Sequence, residues 1–187
     1  MTSTNRHIST ALLSLAAAAL WACDKSSSTP SDASPADASP SATTGWPAGL
    51  VVDASAIAAE PASVKATRDG AAAGLHVTLV GKIGGSKKPF VEGHAAFTIV
   101  DLALKSCDEI EVDSCAKPWD YCCEEKTNLR NHTAMIEIQD AAGKPLAIGA
   151  QGQMGLEPLK VIVVEGEVVS SDPNGACIIK AERIAFQ

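Results

Sequence analysis

The chain has 187 residues, of which 46% are hydrophobic and 4% aromatic, with a formal net charge of −7 at pH 7. That length suits one domain of ordinary size plus ancillary segments. An acidic chain so poor in rings lacks both the basic surface that phosphate backbones demand and the stacking surface that single strands use, which excludes nucleic acid as a partner.

Arg6 and His7 precede an apolar run, Ile8 to Ala22, broken only by Ser9, Thr10 and Ser14. A basic flank followed by about 15 apolar residues reads as an export signal, because a membrane span needs about 20. Leu20-Trp21-Ala22-Cys23 resembles the lipobox of bacterial lipoproteins, with Trp21 standing where a small residue is usual. The resemblance implies a signal peptide over 1–22, acylation (palmitate among the chains) of Cys23, and residence on a membrane of the cell envelope, facing the periplasm or the exterior. In many diderm bacteria Asp24 would bias sorting toward the inner membrane. The alternative is ordinary cleavage near Ala22 that leaves the Cys23 thiol unmodified. Asp24 to Pro47 is almost entirely Ser, Ala, Pro, Thr and Asp. Such a stretch cannot offset the entropy of ordering, so residues 23–47 are expected to form a disordered tether.

Residues 48–74 read as a short helical lead-in, with a helix over Asp53 to Glu60 stopped by Pro61 and another turn over Ser63 to Asp69. From Leu75 the pattern changes to alternation rich in β-branched residues, predicting strands at His76–Ile83, Ala95–Val100, Thr133–Gln139, Leu159–Val169 and Cys177–Phe186. Ile136 and Ile138 are expected inward and Glu137 outward. The run Val161-Ile162-Val163-Val164 predicts burial on both faces. Gly84-Gly85-Ser86-Lys87-Lys88-Pro89, Asp140-Ala141-Ala142-Gly143 and Pro173-Asn174-Gly175 are turn or loop signals; Leu146 to Ile148 extends the third strand's pairing, and Gln151 to Glu157 is a short helix or a loop.

Five such strands resemble the OB-fold, through Val80-Gly81-Lys82-Ile83, Phe97-Thr98-Ile99-Val100-Asp101 and Val164-Glu165-Gly166-Glu167-Val168. The resemblance covers residues 75–187. It implies a mainly β, five-stranded OB-like Greek-key barrel, with a β-sandwich as the alternative, and a ligand face on the second and third strands with Gly84–Phe90, the Cys-rich insertion described below, and Ser171–Gly175. Fold alone implies no activity.

Between the second and third strands lies a Cys-rich insertion, residues 102–132, longer than a hairpin loop needs. It carries Cys107, Cys115, Cys122 and Cys123; Cys177 follows on the last strand. In an oxidising compartment these five read as disulfide candidates, with one left over. Cys107 and Cys115 are natural partners within the loop, adjacent Cys122 and Cys123 suit different partners, and Cys177 could tie the loop to the barrel. The alternative is a metal or thiol redox site built from Cys107, Cys115, Cys122, Cys123 and His132. Antiparallel pairing would bring His132 to Asp101 at the base of the insertion, with Glu109 and Glu111 nearby. The spacing fits no common motif: seven residues separate Cys107 from Cys115 and six separate Cys115 from Cys122, with no C-x-x-C and no C-x-x-C-H.

Lys87, Lys88 and Phe90 could bind an anionic headgroup or glycan. Trp119 and Tyr121 could form a recognition tip, or fill the small core beneath the insertion. G-x-S-x-G and H-E-x-x-H do not occur, and Gly81-Lys82-Ile83 lacks the context of a phosphate loop. The expectation is a non-enzymatic, cofactor-free envelope lipoprotein, held on a membrane by its lipid and presenting a stapled loop to an envelope protein or glycan, with no small-molecule substrate. Metal binding or thiol redox chemistry in the insertion is the alternative.

Overall fold

Alternating burial builds the sheet, and it closes. In a computed structural model, which describes residues 45–111 and 115–187, the strands are β1 (Ala62–Ser63), β2 (His76–Ile83), β3 (Ala96–Val100), β4 (Thr133–Glu137), β5 (Val161–Ser171) and β6 (Cys177–Phe186). The signal segment, Cys23 and the tether as far as residue 44 lie outside the described residues. Within the described part no helix is long and apolar enough to cross a membrane.

The strand order is β1-β2-β3-β4-β6-β5, and β2 also pairs with β5. Strands β2 to β6 therefore close a five-stranded barrel of mixed sense, antiparallel except where β4 runs parallel to β6. This is the expected OB-like Greek-key architecture, with the Cys-rich segment between the second and third barrel strands. The two-residue β1 is an addition, parallel to β2 through Ala62↔Leu79.

Leu79, Ile83, Phe97, Ile99, Ile136, Ile162, Val164, Ile179 and Ile184 fill the barrel and are fully buried. Ile138 joins them, as its alternation with Glu137 required. Ile162, Val163 and Val164 are buried, and Val161, first of the expected run, is half-buried. Within β2, a Cβ on Gly81 would stand 2.9 Å from the Val100 carbonyl oxygen; only a residue without a side chain lets the strands approach so closely.

The lead-in belongs to the same core. Leu50 and Val64 are buried in it, and the Val52 amide donates to the Ile184 carbonyl. Helix α1 (Val64–Gly70) starts at Ser63, whose hydroxyl accepts from the Ala66 amide. One expected element differs. Over Asp53 to Glu60 only one 3-10 turn forms, Ala54–Ala56, because the Asp53 side chain makes no capping bond and Ile57 turns extended. Gln151 to Glu157 takes the loop of its two expected forms, a series of turns in which Gly152, Met154 and Gly155 adopt positive φ. Beyond β4 the pairing continues irregularly: the Leu146 amide donates to the Ile138 carbonyl and Gln139 bridges Pro145.

Candidate functional site

The insertion is docked on the barrel by interactions that need no staple. Val100↔Thr133 is the last pair of β3 and β4, so Asp101 and His132 meet at its base, where the Asp101 amide donates to the His132 carbonyl at 2.9 Å. The Asp101 carboxylate is occupied elsewhere, accepting from the Lys65 amide of α1 at 2.8 Å and the Ala103 amide at 3.0 Å. Burial pushes its pKa up, but those amides, helped by Ser63 and His132, outweigh it and hold the carboxyl below its ordinary value. Asp101 thus fixes the start of the insertion against α1, a structural task distinct from metal ligation.

Further along, the Lys82 ammonium lies 2.7 Å from the Glu109 carboxylate and, with Ser106, holds that carboxyl down at about 2 against the upward push of burial. Val100, Leu104 and Tyr121 form a small second core, with Leu129 packed on it. Tyr121 is therefore 1% exposed and lines no recognition surface; it fills the core, the other of its two expected roles. Burial pushes its phenol up to about 12. The hydroxyl lies near Ser106 without a hydrogen bond of normal geometry among the described residues.

Gly84 and Gly85 accept the insertion's other arm. The Gly85 amide donates to the Trp119 carbonyl at 3.2 Å, and a Cβ on Gly84 would stand 2.7 Å from that same oxygen. This contact brings Trp119 beside the Lys87–Phe90 loop, and the Trp119 Nε1–H points to the Lys87 carbonyl at 3.4 Å. The result is an open cleft of about 450 Å³ whose walls include Lys87, Lys88, Phe90, Lys117 and Trp119. Four of the five binding residues expected from sequence meet there, and Lys117 joins them with its ammonium 5.2 Å from the Trp119 ring centre. Among the described residues, Glu92 is the one acidic lining residue against three lysines.

A smaller cleft, about 300 Å³, lies on the face of β3 and β4 and is roofed by helix α2 (Lys126–Asn131), with Leu129, Met135 and Cys177 among its lining. Arg68 borders it, with its guanidinium engaged by the carbonyls of Thr133, Asp172 and Gly175. Helix α2 was not expected from the sequence. Its signals are Glu125, whose carboxylate accepts from the Asn128 amide, and Arg130 in the last turn.

The cysteines divide. The sulfurs of Cys107, Cys115 and Cys122 lie within 4.8 Å of one another. Cys122 Sγ is 3.2 Å from Cys115 Sγ and 3.6 Å from Cys107 Sγ, both beyond the about 2.05 Å of a disulfide. Cys123 and His132 are not part of this group, and the His132 Nδ1 lies 2.8 Å from the Asn128 carbonyl. Cys177 is buried in the barrel core beside Arg68 and Ser171, where burial pushes its thiol up. His76, Glu167 and Glu182 gather on the outer surface, with His76 Nδ1 3.7 Å from Glu182.

The chain matches no protein-family model, no curated protein and no solved structure.

Proposed function

We propose that this protein is a non-enzymatic envelope lipoprotein, tethered through acylated Cys23, whose barrel and Cys-rich insertion together bind an acidic glycan. One observation supports the reading above the others. The insertion lays Trp119 against the Lys87–Phe90 loop, and three lysines and two aromatic side chains from separate parts of the chain line one cleft. Its volume of about 450 Å³ falls within the range of ligand sites, about 300–1,000 Å³.

The chemistry favours a sugar over a protein segment. A sugar ring offers apolar C–H faces that lie against an indole or phenyl ring, and lysine ammonium groups act as point charges for its carboxylates or phosphates. On a chain of net charge −7, a local excess of cations also orients an anion that the rest of the surface repels. The tether gives the reach: about 21 residues lie between Cys23 and the described domain, and at up to 3.3 Å each they allow at most about 70 Å between lipid and barrel.

The test is a binding screen of the full chain against oligosaccharides that carry uronic acid or phosphate groups and against their neutral counterparts. The reading expects selective binding of the acidic set, weakened about tenfold by Trp119→Ala, as loss of one stacking partner implies, and further by Lys87→Glu with Lys88→Glu. Equal binding of neutral and acidic sugars, or full retention in Trp119→Ala, would overturn it. Preferential capture of acidic peptides would replace the glycan with a protein partner.

A further inference from the structure

The three gathered sulfurs have a chemistry of their own, independent of the cleft. Cys107 opens a 3-10 turn, Cys107–Glu109, that follows Ser106, and the Glu109 carboxylate reaches back to the Ser106 amide at 3.0 Å. The arm carrying Cys115 and Cys122 doubles back against it. The Cys107 amide donates to the Asp120 carbonyl at 3.0 Å and the Asp108 amide to the Pro118 carbonyl at 3.1 Å. Two backbone bonds between the arms, with Tyr121 buried beneath, therefore hold Cys107 against the segment that runs from Pro118 to Cys122.

We propose that Cys107, Cys115 and Cys122 form a three-thiolate site for copper(I). All three donors are soft, and among the described residues no imidazole or carboxylate belongs to the group. Thiolates select copper(I), whereas structural zinc sites almost always take four protein ligands. With a metal–sulfur bond of about 2.3 Å, trigonal ligands stand about 4.0 Å apart. The present separations of 3.2 and 3.6 Å need to open by less than about 1 Å. Cys122 lies exposed on a turn and is common to both distances. Exposure also grades from buried Cys107 through half-buried Cys115 to Cys122, which gives the ion a way in from solvent. The Tyr121 phenol, close to Cys107 and without a full hydrogen bond among the described residues, is a donor available to a sulfur-centred charge. Binding leaves the ion's oxidation state unchanged; each coordinating thiol gives up one proton to solvent, so uptake weakens as pH falls.

The test uses the full chain purified from envelope membranes without oxygen, titrated with copper(I) against a chromophoric copper(I) chelator. One ion per chain is expected, with sulfur-only coordination by X-ray absorption. Cys107→Ser, Cys115→Ser and Cys122→Ser should each weaken binding by at least about 100-fold, more than changes outside the ligand set usually do. Cys123→Ser and Cys177→Ser should leave it unchanged. Alkylation of the unmutated chain keeps the test valid if a serine variant misfolds: copper should protect Cys107, Cys115 and Cys122 together while Cys123 stays reactive. No uptake against the chelator, zinc held in preference to copper, equal loss in Cys123→Ser, or a disulfide at Cys122 in the envelope-purified chain would each overturn the assignment.

Discussion

Replacing Asp101 with asparagine tests how the insertion is anchored. The Asp101 carboxylate is 3% exposed and accepts from two amides, Lys65 in the first turn of α1 and Ala103 at the start of the insertion. An asparagine side chain keeps one acceptor oxygen and turns an NH₂ group toward the second amide. One charge-assisted bond is lost and a buried N–H is left unmet, which costs about 2–3 kcal/mol. The sign with pH follows from the depressed folded pKa. The carboxylate's stabilisation is fully present above the unfolded value, near 3.8, and is lost as pH falls through the folded pKa below it. Urea unfolding followed by tryptophan fluorescence should therefore show the full gap between wild type and Asp101→Asn at pH 7, and a gap that shrinks as pH drops below 3.8. A difference below about 0.5 kcal/mol at pH 7, the size of an ordinary surface change, or a gap that does not narrow in acid, would refute the reasoning.

Gly84→Ala sets a methyl 2.7 Å from the Trp119 carbonyl and should cost about 1–3 kcal/mol by overpacking. Amide exchange should speed up at Gly85 and Cys107 while the amides of β5 and β6 keep their protection. Phe97→Ala empties a fully buried site against Phe90, where the ring centres stand 5.5 Å apart, and should cost about 3–5 kcal/mol in chemical denaturation. A cost below 1 kcal/mol would remove Phe97 from the core. Cys23→Ser should abolish incorporation of labelled palmitate and move the chain from the membrane to the soluble envelope fraction; persistent membrane association would contradict the lipid tether.

The barrel was legible because burial in a strand repeats every two residues, and that period is written locally in Leu79-Val80-Gly81-Lys82-Ile83 and Ala134-Met135-Ile136-Glu137-Ile138. Gly81 was readable for a similar reason, since a glycine within a β-branched run signals close backbone approach. What escaped was set by distant parts of the chain. The two residues of β1 become a strand only because β2 lies beside them, and α2 is too short for helical periodicity to reveal it. The cleft joins Lys87 to Trp119 across 32 positions, a meeting that depends on the glycines at the end of β2. The sulfur group follows no spacing motif; it exists because the Cys107 and Asp108 amides reach the carbonyls of Asp120 and Pro118 and fold the insertion on itself. An oxidising compartment therefore suggested bridges, and only the folded arms show which three thiols converge.

The most direct measurement is a nitrogen-15 NMR titration of residues 23–187, which keep Trp46 and Trp119 and lack Trp21, labelled at tryptophan, with a uronic-acid oligosaccharide. Trp119 lines the cleft, whereas Trp46 packs partly buried on the barrel core and lines no wall of it. The account predicts a saturable shift of the Trp119 indole resonance with Trp46 stationary, and little response to the neutral sugar. A stationary Trp119 at saturating ligand, or the same shift with the neutral sugar, would contradict it.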